Sequence, residues 1–165
     1  SKLLDACIGD AREQHKSGVA VVTGKSIWLA NKEFFAKHGF ELADEAPPSL
    51  ELMVKPFDGS PVPRFPGNWA ERAAGYGKGF TVFRSDQCPY IDDAVQVIAD
   101  TAKELEMDLR IVDLDNCTDA QNSPAAFGVF AVLLDGEMLT YHPVTKRGLL
   151  KLLRNKMPHL DLGAG

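Results

Sequence analysis

Hydrophobic positions recur along this chain with two different periods, and the switches between them mark out its elements. Leu3, Leu4, Cys7, Ile8 and Ala11 fall at helical spacing, with Ser1 available as an N-cap. The run "SGVAVVTG" that follows is almost wholly apolar between glycines, the pattern of a strand buried on both faces. "WLANKEFFAKHGF" returns to the helical period, with Leu29, Phe34 and Phe35 directed inward and Gly39 as the stop. "FELADEA", a turn at Pro47-Pro48 and "LELMVKPF" then predict an antiparallel hairpin. These elements form a first block over residues 1–57. Pro61, Pro63 and Pro66 and the glycines up to Gly79 predict a linker over 58–78, with one short helix around Trp69.

The second block, 79–156, begins with an alternating strand, Phe80–Arg84. A helix is predicted over Ile91–Glu106, with Val95, Ile98, Ala102 and Leu105 on one face, and a strand in "DLRIVDLD". After a short polar segment, "FGVFAVLLDGEMLTYHPV" contains Asp135-Gly136, a strong two-residue hairpin signal. The basic helix "TKRGLLKLLRNK" closes the block, and residues 157–165 form a tail. The expected core is Val82, Val95, Ile98, Ile111, Val129, Val132 and Leu150. This α/β order of βαβ, hairpin and helix resembles the core of the thioredoxin-like fold.

Composition removes function classes rather than naming one. Of 165 residues, 45% are hydrophobic and 25% charged, with a net charge of −5, which suits a globular protein of one larger or two small domains. No face-sized run of Lys and Arg argues for a nucleic-acid or membrane-surface partner. No apolar stretch approaches the roughly 18 residues of a transmembrane helix, and the first 16 residues read as an amphipathic helix rather than a signal peptide. Cys7, Cys88 and Cys117 are odd in number and scattered, unlike a disulfide framework, which points to a reducing, cytoplasmic setting. The histidines are isolated and no cysteine pair has zinc-like spacing, so no metal site is expected.

Cys88 is the chemical question of the second block. "QCPYI" stands between the first strand and the first helix, where a thiol is held against a helix N-terminus. It resembles the glutaredoxin "CPYC" site, which implies Cys88 as the catalytic thiol. Ile91 stands where the resolving cysteine would be, so a disulfide with that neighbour is impossible. The proline that usually precedes the third strand would fall near Gly128, and Pro124 comes four residues too early. The readings left open are one-cysteine chemistry, small-thiol binding, and an inert element of the fold. Asp113 and Asp115 read as strand terminators, and His142 as a surface residue.

The first block resembles the second half of a GNAT-family N-acetyltransferase. "SKLLDACIGDAREQHKSGVAVVT" followed by "WLANKEFFAKHGFELADE" has the family's helix, central strand, second helix ending in Gly-Phe, and closing hairpin. The succession of this block and a "QCPY" thioredoxin-like tail is similar to the YoaP-type acetyltransferases. The resemblance implies acetyl-CoA as cofactor and an amine as acyl acceptor. It places Ser1 and Lys2 at the start of the helix that receives the pyrophosphate. It also places Trp28, Asn31 and Phe35 on the acetyl-CoA side. Phe35 stands where many members carry a tyrosine general acid, and a phenyl ring has no proton to give. Asn31 and Lys32 also fit an ordinary solvated helix face.

The family's glycine-rich loop would lie upstream of Ser1, so this chain alone is expected to bind acetyl-CoA weakly or not at all. The central strand would lose its neighbour on one side, and its Val19–Val22 edge is expected to be covered by a second copy, a swapped segment or the linker around Trp69. Two other readings stand beside a portion of an acetyltransferase: a non-catalytic interaction module, and a one-cysteine oxidoreductase using Cys88.

Overall fold

A computed structural model of the chain describes residues 1–25, 29–47, 49–126 and 128–159. It divides into two units, Ser1–Gly67 and Asn68–Gly165, each with its own sheet.

Unit 1 runs α1 (Lys2–Glu13), β1 (Gly18–Gly24), α2 (Lys32–Ala36), β2 (Glu41–Ala46) and β3 (Leu50–Pro56). The hairpin expected from "FELADEA" and "LELMVKPF" is antiparallel and in the sheet order β1-β3-β2, with a bulge between Leu42 and Asp44. Phe35, Phe40 and Met53 form the core, and Leu4, Ile8, Val19 and Val21 pack against it. α1 therefore leans on the sheet through Leu4 and Ile8, one turn apart, while Leu3 on the next line of the helix stays 77% exposed.

Three expectations for this unit are corrected. β1 is not buried on both faces: it is an edge strand, half-exposed over most of its length, and only Thr23 and Gly24 are buried. α2 is a five-residue helix starting after Asn31, because Asn31 caps it through a hydrogen bond accepted from the Phe34 amide at 3.2 Å. Phe34, expected to point inward, is exposed, while Phe35 is buried. Gly39 does end the segment, in the left-handed region at φ 78°. The stretch expected as linker also does more than connect. The Phe57 amide bonds to the Ser17 carbonyl, Ser60–Pro63 line a groove over β1 and β3, and the Phe65 amide bonds to the Asp44 carboxylate at 3.0 Å. Residues 57–65 thus strap across the sheet from β1 to β2.

Unit 2 runs α3 (Trp69–Ala74), β4 (Phe80–Arg84), α4 (Tyr90–Glu104), β5 (Leu109–Asp113), α5 (Cys117–Asn122), β6 (Phe130–Leu134), β7 (Glu137–Thr140) and α6 (Lys146–Lys156). The sheet order is β5-β4-β6-β7, with β4 and β5 parallel and the other pairs antiparallel. Cover on both faces explains why β4 is buried from Phe80 to Phe83 and why β6 reads as an unbroken apolar run. Phe80, Val82, Phe130, Val132 and Leu134 face α4 and α6, where they meet Ile91, Ile98, Leu149 and Leu153. Phe83, Ala131 and Leu133 face the other way, towards Ala73 of α3 and Ala125. At the β6–β7 turn Asp135 (φ 52°) and Gly136 (φ 75°) are both left-handed, as a type I′ hairpin requires.

The predicted core is corrected at three places. Ile111 is 45% exposed, because β5 is an edge strand and its outer margin is uncovered, and Val129 and Leu150 are only half-buried. The polar segment after β5 is helical: Asn116 caps α5 by accepting from the amides of Thr118 and Asp119. α3 belongs to this unit, and Arg72 ties it down through the carbonyls of Gln121 and Ser123.

Candidate functional site

In unit 2 the candidate site is the turn between β4 and α4. The sheet ends at Arg84, and Ser85 closes it by donating both its amide and its hydroxyl to the Val129 carbonyl, each at 3.0 Å. Cys88 follows, half-buried against the α4–α6 side of the core. Pro89 already has helical dihedrals (φ −63°, ψ −22°), and the Ile91 amide donates to the Cys88 carbonyl at 3.1 Å. Cys88 thus lies two residues before Tyr90, the first residue of α4, with its carbonyl accepting the first turn's bond.

The two neighbours of Cys88 in the motif go separate ways. Tyr90 is exposed. Ile91 is 2% exposed and belongs to the core, so the resolving position is filled by a packing residue. Cys7, Cys88 and Cys117 are all free. The Cys117 thiol, exposed at the start of α5, accepts from Gln121 Nε2 at 3.2 Å. Gly128 lies close to α5, where an added Cβ would come within 3.2 Å of the Ala120 Cβ, and Pro124 is buried in the preceding bend. His142 meets the ring of Tyr141, which is buried, edge-on.

Sequence reasoning missed Arg84 and Asp113. Asp113 does not merely end its strand: its Oδ1 accepts from Arg84 Nε at 2.8 Å. Arg84 Nη1 also donates to Asp92 at 2.8 Å and Nη2 to Asp86 at 3.2 Å. The hydrogen bond to Asp113, with the added attraction of Asp92 and Asp86, holds the guanidinium above its usual value. A cation ending a strand beside several nearby acids was the signal that could have found this cluster.

In unit 1 the residues expected on the acetyl-CoA side divide. Ser1 stands at the N-cap of α1, where its carbonyl accepts from the Asp5 amide at 2.9 Å, and Lys2 opens the helix with an exposed side chain. Asn31 is taken up in capping α2, and Phe35 sits edge-on to Phe34 and Phe40 in the core. Trp28 lies outside the described residues. His38 was also missed. Its Nδ1 lies 2.8 Å from the Phe34 carbonyl one turn earlier. A carbonyl can only accept, so Nδ1 carries the proton.

Lys32 pairs with Glu51 at 2.5 Å, a hydrogen bond that raises the lysine above its ordinary value. Glu51 also borders a groove of about 430 Å³ at the β2–β3 turn, together with Lys25, Glu45, Pro47 and Leu50. Among the described residues no cluster of His, Cys, Asp and Glu could hold a metal ion, and no helix is long and apolar enough to cross a membrane.

The element order and strand pairing of unit 2 are those expected of a thioredoxin-like arrangement, in a chain that is mixed α/β with two sheets. Residues 108–151, from the start of β5 into α6, match the YoaP-like family model. Across 155 residues, 92% of its length, it is 30% identical to the "Uncharacterized N-acetyltransferase YoaP" of Bacillus subtilis (strain 168). The chain spans 61% of the length of that relative. Among solved structures, the first two thioredoxin domains of Saccharomyces cerevisiae Eps1p align with 61% of this chain and 41% of theirs. That alignment has 19% identity and a TM-score of 0.23, too low for a correspondence of folds.

Proposed function

We propose that this chain is part of a GNAT-type N-acetyltransferase that moves an acetyl group from acetyl-CoA to an amine. The observation that carries the reading is its 30% identity over 155 residues with a relative named as an N-acetyltransferase. In the reaction the amine nitrogen attacks the thioester carbonyl, the new C–N bond forms and the C–S bond breaks. The nitrogen's proton leaves, and the CoA sulfur departs as thiolate or thiol. Positioning and carbonyl polarisation supply most of the rate in such a transfer. Phe35 is buried and has no acidic proton, so it serves packing rather than the leaving group. The proposed acetyl-CoA side includes Ser1, Lys2 and Asn31, at the starts of α1 and α2, and its setting is cytoplasmic.

The test uses the full-length gene product with acetyl-CoA and a panel of primary amines, following CoA thiol release and acetylated product together. Release that depends on one amine class is the expected result. Release no faster than buffer hydrolysis with every amine would reject the reading.

Unit 2 is proposed as a binding module within that enzyme rather than a dithiol oxidoreductase. The buried Ile91 supports this, since the core occupies the position from which a second thiol would resolve a mixed disulfide. A second copy pairing along Val19–Val22 is the proposed protein partner, supported by the edge position of β1. Hydrogen exchange at those amides that slows with protein concentration is expected. Exchange independent of concentration would remove that partner.

A further inference from the structure

The cluster around Arg84 joins four separate pieces of chain. Its side chain leaves the end of β4 and reaches Asp86 in the following turn, Asp92 in the first turn of α4, and Asp113 at the end of β5. Nε, Nη1 and Nη2 each serve a different carboxylate, so the planar fork of the guanidinium fixes directions as well as distances. Asp92 also sits at a helix N-terminus, where negative charge is favoured. The stretch from Arg84 to Asp92, eight positions apart, contains the whole β4–α4 turn, and the Arg84–Asp92 pair closes it into a loop.

We infer that Arg84 is a clamp that holds the β4–α4 turn shut and thereby limits access to Cys88. The thiol is half-buried against Ile91 and its neighbours only while the turn is drawn onto the end of the sheet. Each ion pair is exposed on its carboxylate side, with 92%, 76% and 59% of the Asp86, Asp92 and Asp113 side chains accessible. Single exposed pairs contribute little, so a clamp of three is one that opens and closes. Nothing in this inference depends on acetyl transfer.

The experiment is alkylation of the 165-residue chain by iodoacetamide, an uncharged reagent, with the rate at each cysteine read by mass spectrometry. Cys7 and Cys117 are exposed and act as internal standards. Arg84→Gln and Asp92→Asn should both speed modification of Cys88, Asp92→Asn by up to about fivefold for the loss of one exposed pair and Arg84→Gln by more, since it loses all three. Arg84→Lys, which keeps the charge but loses the fork, should fall between wild type and Arg84→Gln. Asp93→Asn, on the same turn but outside the clamp, should change nothing. The paired variants separate a clamp from a field: removing a cation and removing an anion beside a thiol push its ionisation in opposite directions. Opposite effects on the rate, or no effect in either variant, would overturn the inference. If Arg84→Gln fails to fold, Asp92→Asn decides alone, alongside hydrogen exchange at residues 86–91, which must accelerate with it.

Discussion

The two units use sheets of similar width in different ways. In unit 2 both faces of β4 and β6 are covered by helices, and every residue of β6 is buried. In unit 1 the hydrophobic cluster is the small set Phe35, Phe40 and Met53, with Leu50, Leu52 and Val54 also buried along β3, and α1 buries none of its side chains. The difference lies in layers rather than in strand propensity. A strand as apolar as "GVAVVTG" stays half-open where no strand among the described residues pairs with its second edge, whereas "FAVLL" is enclosed because strands flank it and helices lie above and below. Apolar content tells how much a strand can bury, and its neighbours decide how much it does.

The largest expected effect tests that contrast directly. Ile98→Ala removes a fully buried side chain from between α4 and the sheet and should destabilise unit 2 by about 2–5 kcal/mol. Leu4→Ala removes a half-buried contact in unit 1 and should cost about 1 kcal/mol. Urea titration read by hydrogen exchange within each unit checks both values. Equal losses in the two units would break the comparison.

Next comes the hairpin that closes the unit 2 sheet. Gly136 is left-handed at φ 75°, and a Cβ there would lie 3.2 Å from the Ala73 carbonyl oxygen. Gly136→Ala should therefore cost about 1–2 kcal/mol from the backbone conformation, before any crowding against α3. Gly75→Ala is the control. Its φ of −64° is one alanine adopts readily, so its thermal midpoint should stay level or rise slightly.

How far the sequence could be read follows the same division. The strand Phe80–Arg84, the Asp135-Gly136 hairpin and the final helix were legible because each has a local signal: alternation, a turn pair with positive φ, and a capped amphipathic run. Ile111 misled because alternation states which face a residue takes and not whether a helix lies over that face. α5 was missed because its stability comes from the Asn116 cap rather than an apolar face, and none of its residues is buried. Of the site, the place of Cys88 ahead of α4 was legible from the motif. The Arg84 cluster was not, since Asp113 is brought to it only by the parallel pairing of β4 with β5.

A smaller effect is expected at the caps. Thr145 accepts from the Gly148 amide at the start of α6, and Thr145→Ala should cost about 1 kcal/mol in unit 2. Asn31→Ala makes the equivalent loss at the five-residue α2. It should appear as local fraying, with faster exchange at residues 33–36 and little change in the global midpoint, because so short a helix is held by its packing.

The smallest effect concerns pH and again sits in unit 2. Lys156 of α6 forms a hydrogen-bonded ion pair with Glu137 of β7, and that contact holds the Glu137 carboxyl below its ordinary value. A group whose folded-state pKa is depressed adds stability above its unfolded pKa, about 4.3 for glutamate. That contribution fades as pH falls through the depressed folded value. Both side chains are largely exposed, so solvent and salt screen the pair and the effect is slight. Lys156→Met should lower the thermal midpoint of unit 2 a little at pH 7, and less at pH 3, where Glu137 is largely protonated in the unfolded chain. Melts of wild type and variant at the two pH values in low salt measure this difference. A gap that is the same at pH 3 as at pH 7 would mean that the lysine stem packing along α6, rather than its charge, joins the last helix to the edge of the sheet.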